Sequence, residues 1–214
     1  MNFPHTSITI STLRISLSDE QLSKYSSEHP GDFESAIRLY ERNTRLSEAF
    51  YTPLQCLEIT LRNKLNDRIC EVYGADWFQT LSPPLKEDAR EVIADAIADL
   101  NQQGHAYTSG AIAAELSFGF WVGLLGPRYD ATLYRGPLFK AFSENGRHMK
   151  RDRVHRRLNM IRRFRNRIAH HEPIFFRDLE TIHAEIIEAT QWLCPVTAAW
   201  SAHHSRALNV LANP

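Results

Sequence analysis

Residues 151–175 read RDRVHRRLNMIRRFRNRIAHHEPIF. On a helical wheel at about 100° per residue, Val154, Leu158, Ile161, Phe164 and Ile168 share one apolar arc. That spacing predicts an amphipathic helix over 151–169 that ends shortly before Pro173. Arg165 falls inside the same arc, between Leu158 and Ile161, whereas Arg157, Arg163 and Arg167 project elsewhere and are expected to be solvated. A guanidinium keeps its charge, so in a buried stripe it needs an acid, a second subunit or an anionic ligand. Beside the arc runs a polar strip of His155, Arg162, Asn166 and His170. Asn166 and His170, four apart, are neighbours on it. The plainest account has Arg165 snorkelling from the edge of the stripe, or paired with a carboxylate such as Glu58 or Glu115. A histidine at a helix C-terminus is itself favoured by the helix dipole.

Working outward, the pattern is helical nearly everywhere. SLSDEQLSKYSSE gives a short helix capped by Ser18, and residues 1–16 read as an extended or poorly ordered arm. Residues 32–73 form a long helical run interrupted by Pro53, best divided into helices over 32–45 and 47–73 and stopped by Gly74. On the second of these, Phe50, Leu54, Leu57, Leu61, Leu65 and Val72 form the apolar stripe. A helix over 84–102 closes at Gly104, and a short one is expected near 137–143. A last helix runs from Asp178 towards Trp192, before Pro195. With no strand-type alternation of useful length and no internal repeat, the fold class is all-α. The expectation is six to nine helices in one bundle, with an N-terminal arm and accessory helix (residues 1–30) ahead of a main domain (31–212).

Composition narrows the function classes. In 214 residues, 25 basic side chains balance 25 acidic ones, so no global charge draws the chain to nucleic acid or membrane. The distribution is uneven: Arg147 to Arg167 holds ten Lys/Arg against one acid, Asp152, a local field that attracts polyanions. Cys56, Cys70 and Cys194 are odd in number and widely spaced, as reduced core thiols would be. Residues 1–17 lack the basic start and apolar block of a signal peptide, and no window approaches the ~18 apolar residues of a membrane span. A cytoplasmic protein without membrane contact is expected. Phosphate-loop, dinucleotide and serine-hydrolase motifs are all missing. His170, His171 and Glu172 are successive residues about 100° apart, which cannot easily converge on one ion, so no metal and no cofactor are expected.

The motif helix carries groups that suit RNA cleavage without a metal. That reaction needs a base for the 2′-hydroxyl proton, an acid for the leaving oxygen and positive charge on the phosphorane, roles that histidine and arginine fill. One Arg and one His are few, and a two-fold dimer would double them in one cleft. The segment RNRIAHHEPIF resembles the R-x(4–6)-H signature of HEPN domains, in its R-N-x-x-x-H form. Together with LSEAFYTPLQCLEITLRNKLNDRICEVYGADWF (46–78) and ELSFGFW (115–121), in this order, it resembles the Abi-like proteins of bacterial abortive phage infection. The resemblance spans about residues 35–195. It implies a helical bundle that dimerises through the 151–170 helix and acts as a metal-independent endoribonuclease, in phage defence or as a toxin with a protein or RNA antitoxin. Carried over, Arg165 contacts the scissile phosphate, His170 is the base or acid, and Asn166 orients one of them. Some HEPN toxins carry a tyrosine two residues after the motif histidine, which a partner enzyme modifies. Here Glu172 stands there, so that form of silencing is not expected.

Supporting roles are expected for Glu58, Arg62 and His171, with Glu58 and Arg62 at the i, i+4 spacing of a helical ion pair. Arg157, Arg162, Arg163 and Arg167 are the candidates for the RNA backbone. Two other readings remain: a non-catalytic HEPN module that binds RNA or a partner protein, and a plain scaffold in which Arg165 pairs with a buried acid.

Overall fold

The computed structural model describes residues 4–80, 82–104 and 107–213. The chain begins with two short helices, α1 (Ser7–Leu17) and α2 (Asp19–Glu28). An extended or poorly ordered arm was expected over 1–16; residues 7–16 are instead helical, started by the Thr6 side chain accepting from the Thr9 amide, and residues 1–3 lie outside the described part. Ser18 caps α2 by accepting from the Gln21 amide, as its position predicts. The long run then divides into α3 (Phe33–Ala49) and α4 (Tyr51–Tyr73). The break falls at Phe50, three residues later than the sequence suggests. Pro53 sets it, because proline has no N–H to donate to the Ala49 carbonyl one turn back.

The 23-residue α4, about 34 Å long, is the central element. Leu54, Leu57, Leu61, Leu65 and Ile69 are buried, but Val72 is exposed. Each four-residue step turns the buried face by about 40°, so by the last turn it has wound past the direction of Val72. Gly74 stops the helix at φ +88°, and Trp77 folds back to donate its indole N–H to Asn66 Oδ1 at 3.0 Å.

Four helices follow: α5 (Trp77–Thr80), α6 (Glu87–Gln102), α7 (Ser109–Glu115) and α8 (Phe118–Gly123), the last two capped by Thr108 and Ser117. Tight turns cover 127–141, so the short helix expected near 137–143 is a 3-10 turn, Pro137–Ala141. The chain then makes a two-stranded hairpin, β1 (Ser143–Glu144) against β2 (Arg147–His148). Asn145 and Gly146 form its turn with φ of +50° and +76°, the positive pair that a tight hairpin needs. The segment α9 (Arg151–Ala169) is the predicted amphipathic helix, followed by α10 (Leu179–Leu193), α11 (Pro195–His204) and α12 (Ala207–Ala212). Twelve α-helices among the described residues exceed the six to nine expected, because α1 and α5 form where no helix was expected and Leu116 separates α7 from α8.

The architecture is all-α apart from the hairpin. α4 packs on α10, α11, α7 and α8, and α9 lies against α8 and α10. Phe50 and Phe164 meet edge-on at 5.0 Å, joining α9 to the kink between α3 and α4. A second, smaller core of Leu22, Tyr25, Ala36 and Ile37 joins α1 and α2 to the start of α3, crossing the expected 30/31 boundary. Phe175, just after the motif, packs on both cores. Among the described residues no helix is long and apolar enough to cross a membrane.

Candidate functional site

The last turn of α9 ends in a Schellman motif, in which the two amides beyond the helix bond back to carbonyls in it. The His171 amide donates to the Ile168 carbonyl at 3.0 Å and the Glu172 amide to the Arg167 carbonyl at 2.8 Å. The residue that must turn left-handed, usually glycine, is His171 at φ +56°. Three side chains fasten this end. Gln21 of α2 donates to the His171 carbonyl at 3.0 Å, and Arg167 donates to the Pro173 carbonyl at 3.1 Å while pairing with Glu172 at 2.9 Å. Asn43, buried on α3, accepts from the Ile174 and Phe175 amides at 2.7 and 3.3 Å. His170, between these fixed points, is exposed to solvent, and Asn166 one turn earlier is half-buried. The motif end is therefore a rigid mount with an open imidazole on it.

On the adjoining face, α4 and α9 enclose a cavity of about 460 Å³ lined by Tyr51, Leu54, Glu58, Ile59, Arg62 and Arg165, among others. Arg165 is not buried in the apolar stripe: Val154, Leu158, Ile161 and Phe164 are, but its own side chain is 40% exposed on the cavity wall. Residue 165 sits at the rim of the arc, where a long side chain reaches past its neighbours to solvent. Its Nε lies 3.5 Å from Glu58 Oε2. The expected Glu58–Arg62 pair does not form; Arg62 reaches across to the Ala114 carbonyl at 3.4 Å. Glu115, the other carboxylate considered for Arg165, is exposed. The cavity thus gathers Arg165, Glu58 and Arg62, while Asn166 and His170 lie outside its lining.

Of the three arginines expected to be solvated, Arg163 is, whereas Arg157 and Arg167 are half-buried and paired with acids. Arg157 is paired with Glu188 and, at 3.4 Å, Glu185 of α10, and its guanidinium covers the Trp192 ring at 5.5 Å. Arg162 donates to Asn159 Oδ1 at 3.0 Å. Arg163 is exposed and has no acidic partner among the described residues. A groove of about 550 Å³ runs beside it, lined by His155, Arg156, Asn159, Arg163 and Arg167, among others. Burial first, then the charges of Arg151 and Arg162, pull the His155 imidazole below its ordinary value, against the nearby Asp152.

Among the described residues no three His, Cys, Asp or Glu side chains gather as a metal site would require. Sequence reasoning missed the fasteners Gln21 and Asn43 and the cavity residue Tyr51. For Asn43 the signal was present: it is a polar residue on the buried stripe of Ala36, Ile37 and Leu46, the same anomaly that singles out Arg165. No family model, curated protein or solved structure matches this chain.

Proposed function

We propose that this chain is a metal-independent endoribonuclease of the HEPN kind, working as a dimer through the 151–170 helix. The observation that carries the reading is the mount: Arg165 half-exposed on a cavity, and His170 exposed one turn later at a helix end fixed by Gln21, Asn43 and Arg167. Preorganised groups of this kind cost no rearrangement when the reaction occurs. His170 takes the 2′-hydroxyl proton, the freed oxygen attacks the adjacent phosphorus, and the 5′-oxygen leaves with a proton from a second acid. Arg165 meets the charge on the phosphorane. One chain separates His170 from the lining of the Arg165 cavity, and a second copy facing the first supplies both the second histidine and the missing wall. Exposed Tyr51 and Ile59 give that face apolar area to bury.

A role in phage defence or as a toxin held by an antitoxin rests on the sequence resemblance of residues 46–78, 115–121 and 165–175. A second reading, a non-catalytic module binding RNA or a protein, is favoured by one observation: Glu58 already meets part of the Arg165 charge. The deciding experiment is cleavage of labelled RNA in EDTA by the chain and by its His170→Ala variant. The expected outcome is cleavage by the first and a loss of about 100-fold or more in the second, with circular dichroism unchanged. Equal cleavage by the two removes His170 from the chemistry and with it this reading.

A further inference from the structure

At the other end of α9 lies a feature that the motif does not use. Phe139 is 38% exposed, and its ring sits 4.7 Å from that of His148 on the hairpin. His148 and Lys150 form a ridge between two grooves. One, of about 490 Å³, is lined by Tyr134, Arg135 and Phe139; the other, of about 600 Å³, by Asn145, Arg147 and Arg153. The ridge is held firmly: Tyr134 donates its hydroxyl to the Met149 carbonyl at 2.8 Å, and the Met149 amide donates to the Phe142 carbonyl at 3.3 Å.

Charge accounting says what the ridge attracts. Asp130 is taken by Arg135 at 2.8 Å and Arg151 at 3.6 Å, Glu144 by Arg153 at 2.7 Å, and Asp152 by Arg156. Exposed Lys140, Arg147 and Lys150 are left without an acidic partner among the described residues. A pair of fixed rings flanked by three uncompensated cations is the arrangement that takes a base on the ring face and phosphates on either side. A ring face can stack on a base only when that base is not already stacked and paired in a duplex. We propose that Phe139 and His148, with Lys140, Arg147 and Lys150, form a docking platform for single-stranded RNA. From it the strand runs along the His155–Arg163 groove towards Arg167 and the His170 end of the helix. The direction of the strand rests on the proposed function; the platform does not. From Lys150 to Arg167 the helix rises about 26 Å, the span of seven or eight nucleotides stacked at about 3.4 Å.

The test uses the full chain carrying His170→Ala, in EDTA, with fluorescein-labelled U12 read by anisotropy across a salt series. Phe139→Leu, which keeps apolar volume and removes the ring, is expected to weaken U12 binding about 5- to 100-fold at unchanged salt dependence. The paired change Arg147→Ala/Lys150→Ala is expected to lower the slope of log K against log salt by about 1.4. The proposal is overturned if both variants bind U12 as the parent does. It is also overturned if Phe139→Leu weakens a heparin oligosaccharide or duplex DNA by the same factor as U12. A wild-type chain that leaves RNA intact, yet loses U12 with Phe139→Leu, supports the platform and overturns only the ribonuclease reading.

Discussion

The two halves of α9 carry four arginines each and use them differently. In the N-terminal half, Arg151, Arg153, Arg156 and Arg157 all have an acid within 4 Å, drawn from Asp130, Glu144, Asp152, Glu185 and Glu188. In the C-terminal half, among the described residues, only Arg165 and Arg167 do, and Arg165 holds its carboxylate at 3.5 Å while standing half-exposed on a cavity. The helix is the same and so is the residue type. What differs is the surroundings: α10, the hairpin, Asp130 of the preceding turns and Asp152 of α9 itself bring acids to the first half, whereas α4 presents Glu58 and open space to the second. An arginine-rich sequence therefore does not define a basic surface; the facing elements decide which charges stay available.

The sharpest break of this contrast is an exchange of phenotypes. On the proposed function, Arg165→Ala lowers RNA cleavage by about 100-fold or more, since it removes a group that meets charge only at the reacting phosphate. Its melting temperature should move little, because the Glu58 contact is long and half-exposed. Arg157→Ala should do the reverse. It strands Glu185, leaves Glu188 only Arg153 at 3.5 Å, and uncovers Trp192 beneath a guanidinium only 22% exposed, costing about 1–2 kcal/mol, or roughly 2–6 °C, while cleavage stays within about threefold. Matching effects of the two variants on both readouts would mean that the halves are not distinct.

Asn43→Ala probes what holds the open half in place. It leaves the Ile174 and Phe175 amides without their acceptor, at a cost of about 2 kcal/mol. Hydrogen exchange should then quicken over 172–176 and not over the hairpin. Uniform quickening would say that Asn43 supports the whole core rather than the mount.

The physical reason for what the sequence did and did not disclose is the same contrast. Helices with a regular stripe or a side-chain cap, α2, α6, α9 and α10, fall within a few residues of their expected limits, because the information lies in local spacing. The Schellman turn did not, because a histidine occupies the left-handed position that glycine advertises. The hairpin was signalled by Asn145-Gly146 yet has strands of two residues, too short for any alternation. Arg165 was singled out with Glu58 and Glu115 as candidate partners, and it meets Glu58 on α4, more than a hundred residues away; nothing local in the sequence chooses between the two. Nor does anything local point from Arg157 to its acids on α10.

Histidines extend the comparison to pH. His155 in the first half and His183 on α10 both lie below the ordinary histidine value, His183 through burial alone, with its Nε2 2.9 Å from Ser205 Oγ. A folded value lowered beneath the unfolded one, about 6.5, means that the unfolded chain binds more protons below that pH. The stabilisation is whole above about pH 6.5 and is lost as the pH falls towards the folded values. The urea midpoint should therefore drop between pH 7.5 and 5.5, and His183→Gln should flatten the drop. An unchanged drop in that variant assigns it to His155 or to carboxylates.

The smallest expected effect tests why the helix ends where it does. His171 carries a Cβ at φ +56°, a conformation that costs an ordinary L-residue about 1 kcal/mol or more. His171→Gly relieves that strain but gives the unfolded chain more freedom, which takes back roughly 0.4–1 kcal/mol. The net gain should be a few tenths of a kcal/mol, read as a slightly higher urea midpoint. The backbone bonds from residues 171 and 172 to Ile168 and Arg167 do not depend on the side chain, and neither does the Gln21 contact to the 171 carbonyl. The mount under His170 is thus preserved, and cleavage should stay within about threefold. A more stable variant that no longer cleaves would place the His171 imidazole in the chemistry, and the strained turn would then be what keeps a second histidine on the open half of α9.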